Sequence, residues 1–167
     1  MASFEQVAAT FWHDDNKRGA LAPLTPAALA DAERKLGLKL PADLLTLLEH
    51  QNGGVVAEAW DACPAPANSW SSDHVPFDHL MGVGPAGGDR LTLLDTEYLV
   101  GEWDLPSPVV LLSGDGHYWI ALDYRECGPT GEPAVVWLDS DDESEFRIAP
   151  DFRAFLEHLT PSEGFAD

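Results

Sequence analysis

The chain has 167 residues, 45% of them apolar, with six Trp and seven Phe, which suffices for one domain with its own core and excludes a disordered protein. Nine basic residues stand against 29 acidic ones, a net charge of −20. Such a surface keeps a protein soluble, repels nucleic acid and anionic lipid, and attracts basic partners.

No apolar run approaches the roughly 20 residues of a membrane span. Residues 1–6 have neither the basic start nor the apolar stretch of a secretory signal, which predicts a cytoplasmic protein. Two cysteines, Cys63 and Cys127, make no disulfide framework and are expected as free thiols.

Taken in order, Ser3 is placed to cap a helix over residues 3–13. Phe4, Val7, Ala8, Phe11 and Trp12 would form its apolar stripe, and Asp14, Asp15 and Asn16 would end it. Residues 19–24 read as a linker. Thr25 and Pro26 are a good N-cap and first-turn pair for a second helix carrying Leu29, Ala32 and Leu36 on one face, closed by Gly37. Pro41 suits the first turn of a third helix with Leu44, Leu45, Leu47 and Leu48. Asn52, Gly53 and Gly54 stop it, and the two helices are expected to form a helical hairpin.

Residues 55–60 read as a strand leaving that stop. Residues 61–77, rich in Pro, Ala, Ser and Asn, read as a long irregular loop holding Trp70. A short strand is expected over 79–83, then a short helix capped by Asp89 and carrying Leu91, Leu94, Tyr98 and Leu99.

The most structured stretch is 108–139. Val109, Val110, Leu111 and Leu112 form an apolar run too short for a helix, ending at Gly114, Asp115 and Gly116, a turn signal. The chain resumes in alternation, Tyr118, Ile120 and Leu122 against Trp119, Ala121 and Asp123. After a Gly/Pro loop, Val135 to Leu138 supply a third strand. Three strands with short links predict an antiparallel meander, covered on one face and partly on the other. An acidic turn follows, then a short strand over 146–148, and a last helix from Pro150 with Phe152, Phe155, Leu156 and Leu159 on one face. Residues 161–167 are expected to fray. The fold class is α+β: one domain over 1–167, a mostly antiparallel sheet with helices beside it.

The order of motifs resembles a known family. Glu33-x-x-Leu36-Gly37-x-x-Leu40-Pro41-x-Asp43, followed by Asn52-Gly53-Gly54, is similar to the N-terminal signature of the SUKH superfamily, the Smi/Knr-type domain. Gly114-Asp115-Gly116, Leu122-Asp123, Gly131-Glu132-Pro133-x-Val135 and Ile148-Ala149-x-x-Phe152-x-x-Phe155-Leu156 continue the pattern, so the resemblance covers about 25–159. It implies a single α+β domain and a non-catalytic role. Bacterial members look mostly like immunity proteins that neutralise toxins, many of them nucleases, and eukaryotic relatives look like regulatory scaffolds. No catalytic residue, metal or cofactor is carried over.

The residues themselves offer few reaction centres. Ser113 before Gly114-Asp115-Gly116 reads as a hairpin turn, since no helix pattern follows. Asp73-His74 and Asp78-His79 combine donors that suit zinc or iron, and the alternative functions are a small metal-dependent hydrolase using His74 and His79 or, from the resemblance, a regulatory scaffold of the Smi/Knr type. Their spacing puts the two imidazoles on no common helix face and Pro76 intervenes, so a polar loop leading into a strand is the favoured reading. Asp139-x-Asp141-x-Glu143 begins like a calcium loop, but Ser144 and Pro150 stand where Gly and Glu are required. His117 and Cys127 have no spacing that makes them a pair.

A partner surface is then the main functional candidate. Asp139, Asp141, Asp142, Glu143 and Glu145 put five carboxylates within seven residues, either a solvated turn or part of a surface for a basic protein. Asp115, Asp61 and Trp70 complete the candidate set, Trp70 either as a buried loop anchor or as an exposed contact.

Overall fold

The computed structural model describes residues 1–14 and 19–165. Asp15 and Asn16, read as helix-ending residues, lie outside the described residues. Helix α1 (Phe4–Ala9) starts on a capping box in which the Ser3 hydroxyl accepts from Gln6 N while the Gln6 side chain accepts from Ser3 N. It is shorter than expected over 3–13. Past Thr10 the chain turns extended, Trp12 forms an antiparallel bridge with Val56, and His13 N donates to the Val55 carbonyl at 2.9 Å. Phe11 stays buried beside Phe77, so the apolar periodicity continues while the helix does not. Long-range backbone pairing outweighs one more turn of a short helix.

Helix α2 (Pro26–Leu36) has the expected ends: Thr25 caps Ala28 N at 3.1 Å, and Gly37 takes the left-handed conformation at φ 74°. In α3 (Ala42–His50) Pro41 stands at the N-cap, one position before the helix, and Leu44, Leu47 and Leu48 are buried. The two helices have different main neighbours, α3 packing on the last helix and α2 on the 3-10 turn Leu93–Asp95. A helical hairpin overstates their contact.

The middle of the chain is more regular than its composition suggests. Strand β1 (Gly54–Val55) has only two residues and leads through a 3-10 turn, Glu58–Trp60, to β2 (Ala62–Pro64). That strand pairs antiparallel with β3 (His74–Pro76), in the register Ala62 to Pro76, Cys63 to Val75 and Pro64 to His74. Residues 61–77 are therefore a hairpin with a long tip. Both prolines are tolerated because a two-stranded ribbon consists of edges, while buried Cys63 and Val75 hold it to the core. Strand β4 (His79–Leu80) returns to pair with β1. The next helix begins at Thr92, not Asp89: Thr92 and Asp95 form a buried capping box for Leu93–Asp95, which runs into α4 (Thr96–Trp103). Leu91 and Tyr98, expected on its apolar face, are exposed.

The meander forms as predicted and gains a strand. Strands β5 (Val109–Gly114), β6 (Tyr118–Asp123), β7 (Ala134–Asp139) and β8 (Glu145–Ala149) lie antiparallel in sequence order, with a register shift in β5 between Leu111 and Ser113. Burial along β5 to β7 is nearly continuous, because both faces are covered. Helix α5 (Phe152–Glu157), capped by Asp151, lies on β7 and β8, and α4 on β5. Beyond it, Thr160 bridges to Ala62, so the tail closes against β2. Both cysteines are free, and burial pushes the Cys63 thiol up to about 12.

Candidate interaction surface

The acidic turn grows out of the end of β7, and its carboxylates differ in what they do. Asp139 is only 3% exposed. It accepts from Asp141 N at 2.9 Å and Asp142 N at 3.1 Å, and from the Ser69 hydroxyl at the tip of the β2–β3 hairpin. It shapes the turn and is not available to face a partner. Asp141 is exposed and sits 3.1 Å from His117 Nδ1. This contact, reinforced by Asp115 and Asp139, raises the His117 pKa above its ordinary value. Asp142 accepts from Ser144 N and Oγ at 2.9 and 2.6 Å, and these bonds hold its carboxyl below the usual range. Glu143 takes a left-handed φ of 59° at the exposed apex. Glu145 pairs with Arg125, which also grips Asp123 at 2.9 Å. Asp115 accepts from His117 N at 2.9 Å within the β5–β6 turn. The exposed carboxylates of the turn that pair with no Lys or Arg among the described residues are thus Asp141, Asp142 and Glu143.

Trp70 stands apart from the core at 51% exposure. Its loop is nonetheless ordered by one residue: the Asn68 side-chain oxygen accepts from Trp70 N at 2.8 Å and Ser71 N at 3.1 Å, and its amide donates to the Pro66 and His74 carbonyls. The indole meets Tyr118 edge-on at 5.5 Å, Tyr118 lies flat on Trp137 at 4.7 Å, and Trp137 faces Phe146 at 6.2 Å. An aromatic row therefore crosses three strands of the sheet and surfaces at Trp70. Trp70 is therefore not a buried anchor: one edge packs on Tyr118 and the rest of the ring is open.

Beside Trp70 opens a cleft of about 550 Å³, walled by Asp61, His74, Asp78, Glu163 and Phe165. His74 stacks on Phe165 at 4.1 Å, and Asp61 accepts from Ser162 N at 2.7 Å and Ser162 Oγ at 3.1 Å. Residues 162–165, read as frayed, are thereby held as a wall of the cleft. Nothing local in the sequence announces this, because both contacts reach back about a hundred residues. Glu163, Phe165 and Tyr118 were absent from the sequence-based candidates for the same reason, and Asp78 figured there only as a metal donor.

The histidines do not share a centre. His74 Nδ1 lies 2.8 Å from Asp73 and 2.9 Å from Ser71 Oγ, whereas His79 Nδ1 lies 2.8 Å from Asp78 with its ring against Ser113. Each imidazole is occupied by its own neighbours. Among the described residues, no group of three His, Cys, Asp or Glu side chains gathers as a ligand set. No helix among them is long and apolar enough to cross a membrane.

Helices flanking a four-stranded antiparallel meander define a small α+β domain of the kind read from the motifs. The chain belongs to the SMI1 / KNR4 family (SUKH-1), whose model matches residues 23–158. The match takes in α2 to α5 and the whole main sheet, and leaves α1 outside it. No curated protein matches the chain. Membership is consistent with an immunity-type protein.

Proposed function

We propose that this is a non-catalytic cytoplasmic binding protein: an immunity protein that neutralises a basic, nuclease-type toxin by direct binding through its acidic surface. The observation that carries this reading is the −20 charge of a member of this family. Most of the described cations are already engaged. Arg34 and Lys35 pair with Asp31, Arg125 with Asp123 and Glu145, Arg147 with Glu126, and Arg153 with Asp43. The surplus charge is carboxylate, which speeds encounter with a basic protein and opposes acidic ones. A nuclease must hold a phosphate backbone and is basic where it does so.

The test starts from the gene immediately upstream of this one, which is expected to encode the toxin domain. Titrated with the purified protein, that domain is expected to form a stable complex and lose its nuclease activity. A domain that stays fully active at saturating protein overturns the proposal.

A further inference from the structure

We propose that the cleft beside Trp70 is a socket for an arginine side chain presented by the basic protein partner. The inference rests on the immunity reading for the partner's identity, but the socket follows from its own geometry.

A half-exposed indole on a loop fixed by Asn68 is a preorganised contact, since its position does not have to be ordered on binding. Trp and Tyr are the side chains that most often carry binding energy. The His74–Phe165 stack lines the same cleft and gives it a second aromatic wall. The polar groups between these walls are carboxylates. Asp61 uses both oxygens as acceptors from Ser162, yet a carboxylate has lone pairs for about four hydrogen bonds. Asp78 is bonded through one oxygen to His79, a contact that holds its carboxyl below the usual range and keeps it ionised at neutral pH. Glu163 adds a third charge, and no Lys or Arg lines the cleft among the described residues.

Tyr118 packs beneath Trp70, next to the cleft. Its side chain is buried under the edge of Trp70, at 5% exposure, and its hydroxyl makes no hydrogen bond among the described residues. Burial raises its pKa above the ordinary 10, and the charges of Asp78 and Asp115 push the same way. The phenol therefore remains neutral and adds no charge beside the cleft.

These features match a guanidinium better than other cations. It is planar, stacks on aromatic faces, presents five donors in a fixed fork, and is more weakly hydrated than an ammonium. Between Trp70 and the His74–Phe165 wall it would meet carboxylates along its edge, the geometry in which charge-assisted bonds are strongest. Phosphate and acidic peptides are repelled by the same groups.

The experiment has two arms. In the first, the protein with ¹⁵N-labelled indoles is titrated with the capped tripeptide Gly-Arg-Gly, with its lysine analogue and with its neutral citrulline isostere. The Trp70 resonance is assigned by its loss in Trp70→Phe. A saturable shift with arginine, a weaker one with lysine and none with citrulline is expected. No shift at Trp70 in the millimolar range, or an equal shift with citrulline, overturns the socket.

In the second arm, Trp70→Ala and Asp78→Asn are each measured against the proposed toxin partner, with circular dichroism confirming the fold. Each is expected to raise the dissociation constant, Trp70→Ala by roughly 30-fold as for a binding hot spot. Parent-like affinity in both variants sinks the socket and leaves the immunity reading standing. If the parent itself does not bind the toxin, the immunity reading falls, and the tripeptide arm alone still decides the socket.

Discussion

Asp139 ties the acidic turn to the β2–β3 hairpin, and its three hydrogen bonds explain why a carboxylate is kept almost wholly buried. Removing it leaves two backbone N–H groups and the Ser69 hydroxyl without their acceptor. Each such loss at a buried site costs about 1–3 kcal/mol. Asp139→Ala is therefore expected to lower the urea midpoint clearly, and Asp139→Asn, which keeps one carbonyl oxygen, to lower it less. Equal midpoints for parent and Asp139→Ala would show that these bonds are not formed in solution. His117 gives a pH prediction whose sign is fixed by its raised pKa. The stabilisation from Asp141 is fully present below the unfolded value of about 6.5 and is lost as pH rises through the folded pKa. A proton NMR titration should find His117 above about 6.5 and find it lowered in Asp141→Asn. A titration that ignores that substitution would refute the pair. Composition marks these residues as an acidic run, but not which one turns inward. That depends on Ser69, seventy residues away in sequence.

Asn52, Gly53 and Gly54 show the same limit among the elements. As a local string they end α3, and α3 does end there. Their larger role is a junction. Asn52, buried, donates from its amide to the Ala22 and Val83 carbonyls and accepts from Val83 N, all at 2.8 Å, while its own carbonyl accepts from Leu21 N at 2.9 Å. One side chain thus fastens the segment before α2 to the segment after β4. Gly82 is confined by this contact, since a Cβ there would lie 2.4 Å from the Asn52 carbonyl oxygen. Asn52→Ala would leave Val83 N buried and unpaired at about 1–3 kcal/mol, with two carbonyls losing a donor as well. The expected result is a large drop in the urea midpoint together with fast hydrogen exchange at the Val83 amide. Parent-like protection of that amide would contradict the junction. Elements with their own local grammar were legible: the Thr25 and Gly37 caps of α2, the Gly114–Gly116 turn, and the alternation of β6. The β2–β3 hairpin was not, because its prolines and small residues mimic a loop and its stability comes from burial of Cys63 and Val75. The fourth strand was only partly legible, since β8 is exposed at alternate positions and carries its charges outward.

For the molecule as a whole, charge is the dominant property, and it is uneven. Residues 1–83 hold 11 acidic and five basic side chains, and residues 84–167 hold 18 and four. Self-repulsion of this kind destabilises the compact state but accelerates encounter with a basic partner. The proposed division of labour follows from exposure. Asp141, Asp142 and Glu143 point outward at the end of β7, where their charge acts across solvent, whereas Trp70 and its cleft would make short-range contacts. Outward charges govern mainly association rate and its salt dependence, and desolvated contacts govern mainly dissociation. Replacing Asp141, Asp142 and Glu143 together by Asn, Asn and Gln keeps the shape of the turn and removes three charges. The association rate with the proposed toxin partner at low salt is expected to fall about tenfold, within the range of electrostatic steering. Dissociation should change little. Raising ionic strength should bring parent and variant together, because exposed charges are screened beyond about 8–10 Å near physiological salt. Stopped-flow association at two salt concentrations reads this directly. Equal rates at low salt would mean that the turn is only a solvated loop, and that steering, if present, comes from the remaining carboxylates.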